Sequence, residues 1–315
     1  MSQRSCSPAS VSGCRPQTST RRRSTTGDSG SAKSIRVKWR WVNNRSPSRI
    51  QIDQGHTCPS TGASSLAEYR INKAKQKLQA GGVISIVNGV NDGDTAEIFG
   101  NLGFDSILAE GEHGPISWDV IGDISRACDL WDMASVVRVH RNDPALITRA
   151  LDRGANGIMV PHVNTREEAE SVARSSHYGP LGNRGAFGGR RALGISDYHR
   201  KANENTLVTI LLEDIIAIRN MKEIVKADGI DVFYVAPGDL AQSMGHTGDI
   251  SHPEVLQAVE DGLGTIIDSG RTAGTLVNDD TVESYIARGV KCVGLAWQPW
   301  LAAGATAFLG KMSGS

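Results

Sequence analysis

The chain has 315 residues, Lys+Arg 34 against Asp+Glu 34, 39% hydrophobic side chains and 35 glycines, the profile of a soluble, enzyme-sized globular protein. No run of 18 or more apolar residues and no apolar signal-peptide core occurs, which excludes a membrane span and argues against secretion. The zero net charge divides unequally, because residues 1–65 hold eleven Lys/Arg and two Asp/Glu while the remainder holds 23 and 32.

Residues 1–65 contain 21 Ser/Thr, the triplet Arg21-Arg22-Arg23 and a second basic cluster from Arg36 to Arg40. With almost no apolar periodicity they cannot bury a core. They read as a disordered tail, an organelle transit sequence or upstream codons translated as protein. The basic runs could neutralise phosphates, but no binding module surrounds them, and no nucleic-acid partner is expected. Cys6, Cys14, Cys58, Cys128 and Cys292 form no CxxC pair or metal-type spacing, which fits a reducing, cytoplasmic setting. Organelle import is the alternative if the tail is a transit sequence.

Residues 66–315 have the usual size of one (β/α)8 barrel, about 250 residues. In chain order, strands are expected to start near Val83, Phe104, Ala134, Gly157, Leu207, Asp231, Thr272 and Lys291. Helices are expected over 117–130, 143–153, 165–176, 214–227, 253–269 and 280–288, where apolar residues recur at three- and four-residue spacing behind Asp, Ser or Thr. Near-continuous apolar strands suit burial on both faces, as in a closed parallel TIM barrel wrapped by helices. Chemistry in such barrels gathers at the C-terminal ends of the strands.

Those ends carry Glu110 to Pro115 after the second strand, Arg138 and His140 on the third, Glu213 on the fifth and Asp239 after the sixth. Glu213 and Asp239 follow buried apolar runs, where an ionised carboxylate needs a compensating cation or hydrogen-bond network. A hard divalent metal held by two carboxylates and several waters is the simplest compensator. The structural alternative has Asp239 capping a short helix over 239–244 and Glu213 pairing with an arginine. Arg138 could pair a structural carboxylate or face an oxyanion formed during reaction. His113, in a glycine-bracketed loop, is the first choice as general base, with His140 and His162 as rivals. No lysine falls inside the barrel for Schiff-base chemistry, and no phosphate loop or GxGxxG fingerprint occurs.

With these residues in place, the chain resembles the HpcH/HpaI aldolase family of metal-dependent 2-oxo-acid aldolases, which includes macrophomate synthase-like members. The resemblance runs from about Lys73 to Leu309. It rests on Gly103-Phe104-Asp105, Glu110-Gly111-Glu112-His113-Gly114-Pro115, Val137-Arg138, Asp152-Arg153-Gly154-Ala155, Pro180-Leu181-Gly182-Asn183-Arg184-Gly185, Leu212-Glu213, Pro237-Gly238-Asp239-Leu240, Ser243-Met244-Gly245 and His252-Pro253-Glu254-Val255.

The resemblance implies that Glu213 and Asp239 hold a divalent cation, Mg2+ or Mn2+ ahead of Co2+ or Zn2+. It implies that backbone N–H groups around Gly238 and Asp239 bind the 2-oxo acid carboxylate, and that Arg138 stabilises an enolate oxygen. His113, partnered by Glu110, would manage the hydroxyl proton as a 4-hydroxy-2-oxo acid is cleaved to pyruvate and an aldehyde. Two positions depart from the family's best-known members, which commonly have Asp where this chain has Glu110 and Gln where it has Leu211. The added methylene at Glu110 could shift the histidine pair by about an ångström, a displacement that matters to catalysis.

Oxaloacetate decarboxylation, CoA-ester cleavage and a barrel that only binds metabolites are the competing functions. The resemblance also implies a homo-oligomer, commonly a hexamer, in which the last helix is exchanged between barrels. The apolar segment from Trp297 to Leu309 suits that packing, and equally suits covering its own barrel.

Overall fold

The computed structural model describes residues 68–313, all within the compact unit Ser60–Ser315. The expectations for residues 1–65, including Cys6, Cys14 and Cys58, lie outside the described residues.

Helix α1 (Lys73–Gln79) precedes eight strands that close in sequence order into a parallel barrel, with β1 paired to β8. The strands are β1 (Ile84–Asn88), β2 (Ser106–Glu110), β3 (Ala134–Arg138), β4 (Gly157–Val160), β5 (Leu207–Leu212), β6 (Val232–Val235), β7 (Ala273–Leu276) and β8 (Cys292–Ala296). All eight expected strands are present. Connecting them are α2 (Gly93–Asn101), α3 (Trp118–Leu130), α4 (Pro144–Asp152), α5 (Arg166–Ser176), a 3-10 turn (Gly189–Ala192) and α6 (Tyr198–Asn205). The later connections are α7 (Ile215–Ile224), α8 (Pro237–Ser243), α9 (Pro253–Asp268) and α10 (Val282–Ala287), and α11 (Gln298–Ser313) closes the described chain.

Helix starts follow local chemistry. Asp143 accepts from the Ala145 amide ahead of Pro144, and Thr165 with Glu168 forms a reciprocal capping box. Helix α7 stops before the expected position 227, because Lys226 and Ala227 bond three residues back, to Glu223 and Ile224. Helix α10 starts after 280, since the amides of Asp280 and Thr281 are taken by the Asn278 side chain.

Side chains alternate across each strand, so two cores form. Ile84, Ile86, Leu108, Val136, Leu207, Leu211, Val232 and Tyr234 fill the barrel, while Val87, Ile107, Val137, Val208, Ile210, Phe233 and Val235 meet the helices. This register positions the site. Two residues beyond Leu108, Val136 and Leu211 come Glu110, Arg138 and Glu213, which therefore share the inward face. Among the described residues no helix is long and apolar enough to cross a membrane.

Candidate active site

The inward register brings Glu110, Arg138, Glu213, Gly238 and Asp239 around one cavity of about 180 Å³ at the C-terminal mouth of the barrel. Asn88, Leu108, Met159, Leu211 and Tyr234 complete most of its wall. No lysine lines it. The one deeply buried lysine among the described residues, Lys75, donates instead to the Thr206 carbonyl and to Asp231, at 2.7 and 2.9 Å, beside the starts of β5 and β6.

Glu213 is 0% exposed. Its Oε1 accepts the His162 amide at 2.9 Å, and its Oε2 is buried without a hydrogen-bond partner. Burial raises its pKa to about 7; the His162 amide and ring work against the rise, and Asp239 and Glu112 add to it. No arginine pairs with Glu213 among the described contacts. Asp239 lies in the first turn of α8, which begins at Pro237 rather than at Asp239 and takes Ala236 as its N-cap.

Arg138 and Glu110 are neighbours in the β2–β3 register and form a two-pronged ion pair, with Arg138 Nε 3.0 and 2.8 Å from the two Glu110 oxygens and Nη2 also on Oε2. Glu110 Oε1 also accepts the amides of Glu112 and His113, at 2.8 and 3.1 Å. Burial alone would raise the Glu110 pKa, but these contacts lower it below the ordinary glutamate range. Burial likewise opposes the Arg138 charge, and Glu110 more than offsets it, so the guanidinium holds its proton more tightly than usual.

The expected pairing of Glu110 with the His113 ring is not what the structure shows. Glu110 binds the His113 backbone, and the ring, 62% exposed, stands 3.8 Å from Glu112. Sequence reasoning passed over Glu112. Its Oε2 is buried without a hydrogen-bond partner, 3.4 Å from Arg138 Nε, and burial raises its pKa while Arg138 opposes the rise. The signal for it was the glycine bracket. A Cβ on Gly111 would stand 2.5 Å from the Arg138 carbonyl, and one on Gly114 2.6 Å from that of Glu110. Only glycines permit the tight fold-back that buries Glu112.

His162, one of the rival bases, lies at the same mouth. Its φ of 53° is uncommon for a side chain of this size. Its Nδ1 is 3.0 Å from Asp214, and its ring nitrogens are 3.7 Å from Glu112 and Glu213. Burial would lower its pKa, but Asp214, Glu213 and Glu112 raise it. His140 shows no such cluster and lines a separate small pocket behind Arg138.

Glu213 keeps a buried oxygen without a hydrogen-bond partner in a cavity that Asp239 also lines, and these oxygen donors suit a hard divalent cation in chemical type. Beside it, Arg138 offers positive charge. The amides of Gly238 and Asp239, in the first turn of α8, lack partners within the helix. A Cβ on Gly238 would meet nothing within 4 Å, so this backbone is open to approach.

The closed barrel carries acids, an arginine and open amides at its C-terminal mouth, and comparison with known proteins identifies it as a lyase. A family model for HpcH/HpaI aldolase/citrate lyase matches residues 87–302, and the chain belongs to this family. It is 35% identical over 218 residues to a pyruvate aldolase of Rhizobium etli, covering 68% of this chain and 86% of that protein. It is 33% identical over 224 residues to a 4-hydroxy-2-oxo-heptane-1,7-dioate aldolase of Shigella boydii, covering 69% and 86%. A solved family member from Burkholderia cenocepacia superposes with a TM-score of 0.72 at 28% identity, covering 77% of this chain and 99% of that one.

Proposed function

We propose that this lyase is a divalent-metal-dependent aldolase that cleaves a 4-hydroxy-2-oxo acid to pyruvate and an aldehyde. The observation that carries the reading is the buried Glu213 oxygen without a hydrogen-bond partner, in a cavity that Arg138 and Asp239 also line. Glu213 and Asp239 would hold the ion, Mg2+ or Mn2+ by their oxygen chemistry. When bound, the ion supplies Lewis-acid polarisation of the 2-oxo group.

The chain's own residues do the rest. The Gly238 and Asp239 amides take the substrate carboxylate, and Arg138, fixed by Glu110, faces the 2-oxo oxygen as negative charge develops there. His113, exposed beside Glu112, takes the C4 hydroxyl proton through a water. The C3–C4 bond then breaks, C4 becomes the aldehyde carbonyl, and the electron pair passes to C3 and the 2-oxo oxygen; protonation at C3 completes pyruvate. Leu108, Met159 and Leu211 keep the floor apolar and limit water.

The test follows pyruvate release from a panel of 4-hydroxy-2-oxo acids with Mg2+, Mn2+, Co2+ or Zn2+ and with chelator. Metal-independent turnover, or unchanged turnover in Glu213→Gln, would reject the proposal. Product analysis separates aldol cleavage from oxaloacetate decarboxylation and CoA-ester cleavage.

The working form is proposed to be a homo-oligomer. Every described residue of α11 is exposed, including Leu301, Phe308, Leu309 and Met312, and an apolar groove of about 600 Å³ runs past Phe104, Leu276, Leu295 and Trp300. Light scattering on the full chain and on Phe308→Ser tests this, with a smaller particle expected for the variant. The setting is proposed to be cytoplasmic. A mature N-terminus near Ser64 inside an organelle would overturn that.

A further inference from the structure

Outside the barrel mouth, one cluster of ligating side chains among the described residues is used by no part of this mechanism. It spans the loop after α8, which carries Asp239, and the first turn of α9. His246, His252 and Glu254 each offer one ligand atom, and these atoms all fall within 4.8 Å of one another. We infer that His246, His252 and Glu254 form a second metal site, selective for a borderline first-row ion such as Zn2+, Co2+ or Ni2+ over Mg2+.

The loop is built to hold these groups together. Gly245, at φ +86°, turns the chain back, the His246 amide donates to the Ala241 carbonyl at 2.8 Å, and the Asp249 amide donates to the His246 carbonyl at 2.9 Å. The two imidazoles end up stacked, centroids 3.5 Å apart and planes 15° from parallel. His246 Nε2 lies 3.0 Å from Glu254 Oε2. That spacing suits two donors on one ion, since ligands about 2.0–2.2 Å from a shared metal stand roughly 3 Å apart. Asp249, whose carboxylate senses both histidines, adds negative charge at the loop.

The chemistry of the set decides the ion. Two imidazoles and one carboxylate match zinc and its neighbours, whereas Mg2+ prefers oxygen and resists dehydration. Glu254 is 71% exposed on its side chain, so water would complete the coordination. His252 Nδ1 now accepts a long 3.3 Å bond from the Glu254 amide. An ion that takes that lone pair replaces a weak helix cap. Occupancy would therefore tie the loop that follows α8 to the first turn of α9.

The test uses the full chain carrying Glu213→Gln and Asp239→Asn, so that the mouth site is disabled and its failure cannot be mistaken for failure here. Calorimetric titration with Zn2+ is compared between this protein and the same protein with His246→Gln. His246 caps no helix, and the variant should keep its metal-free melting temperature. The expected result is one fewer zinc per chain, or at least about tenfold weaker binding, in His246→Gln, since outer-shell changes alone are worth 10–100-fold. A zinc-induced rise in melting temperature should disappear with it. Equal stoichiometry and affinity in the two proteins would overturn the inference, as would tighter binding of Mg2+ than of Zn2+.

Discussion

The two ends of the barrel treat their carboxylates differently. Toward the N-terminal ends of the strands, Asp105 is met by Lys77 at 2.8 Å, Asp231 by Lys75 at 2.9 Å, Asp129 by Arg191 at 2.9 Å and Asp152 by Arg184 at 2.7 Å. At the C-terminal mouth, Glu112 and Glu213 each keep a buried oxygen without a hydrogen-bond partner. At the mouth Arg138 is taken up by Glu110 and approaches Glu112 at 3.4 Å, while Glu213 is paired with no arginine or lysine among the described residues, at the end of the barrel where such folds place their chemistry. The open acids are costly to the isolated chain, which is what a site awaiting an external cation requires.

The sharpest way to break this contrast is to exchange the two behaviours. Arg184→Met leaves Asp152 without its partner at the paired end and should lower stability by about 3–5 kcal/mol, as loss of one member of a buried pair does. Urea unfolding measures it. A loss under about 1 kcal/mol would mean that the pairing contributes little.

At the open end the sign reverses with pH. Burial raises the folded pKa of Glu213 to about 7, above its ordinary unfolded value near 4.5. In chelator-stripped protein the folded state therefore binds more protons between these values, and stability should fall as pH rises from about 4.5 to 7, by at most about 3 kcal/mol. Glu213→Gln should flatten that slope and leave the metal-free protein more stable at pH 8 while lowering turnover by more than about 100-fold, since outer-shell groups alone are worth 10–100-fold. Unfolding at pH 5 and pH 8 with a turnover assay checks all three.

Arg138→Lys keeps the charge but loses the two-pronged grip on Glu110. A fall of about 100-fold in kcat with a smaller change in KM is expected if the guanidinium faces developing charge. The smallest effect concerns the histidines. His113→Gln should cost about tenfold or more in kcat, and His162→Gln less; the reverse order would transfer the proton-handling role to His162.

Much of this was legible in the sequence. Eight apolar runs, each too short for a helix and bounded by polar turns, gave the barrel, and the two-residue period carried Leu211 into Glu213 and Val136 into Arg138. Local spacing did not reveal Glu112, because its burial depends on a loop folding back over the Arg138 carbonyl. His162 was visible only as one rival among several, since its place beside Glu213 depends on how β4 and β5 meet in space. The Tyr234 hydroxyl, buried and hydrogen-bonded to Asn88 from the opposite side of the barrel, also needed the closed topology to appear in the cavity wall.

The most direct test of the open site is a Mn2+ titration of the full chain at pH 8, followed by electron paramagnetic resonance, with Glu213→Gln in parallel. Tight binding of one ion at the mouth that weakens more than about 100-fold in the variant is the predicted result. Indistinguishable Mn2+ binding in the two proteins would contradict it and leave the buried acids without a chemical role.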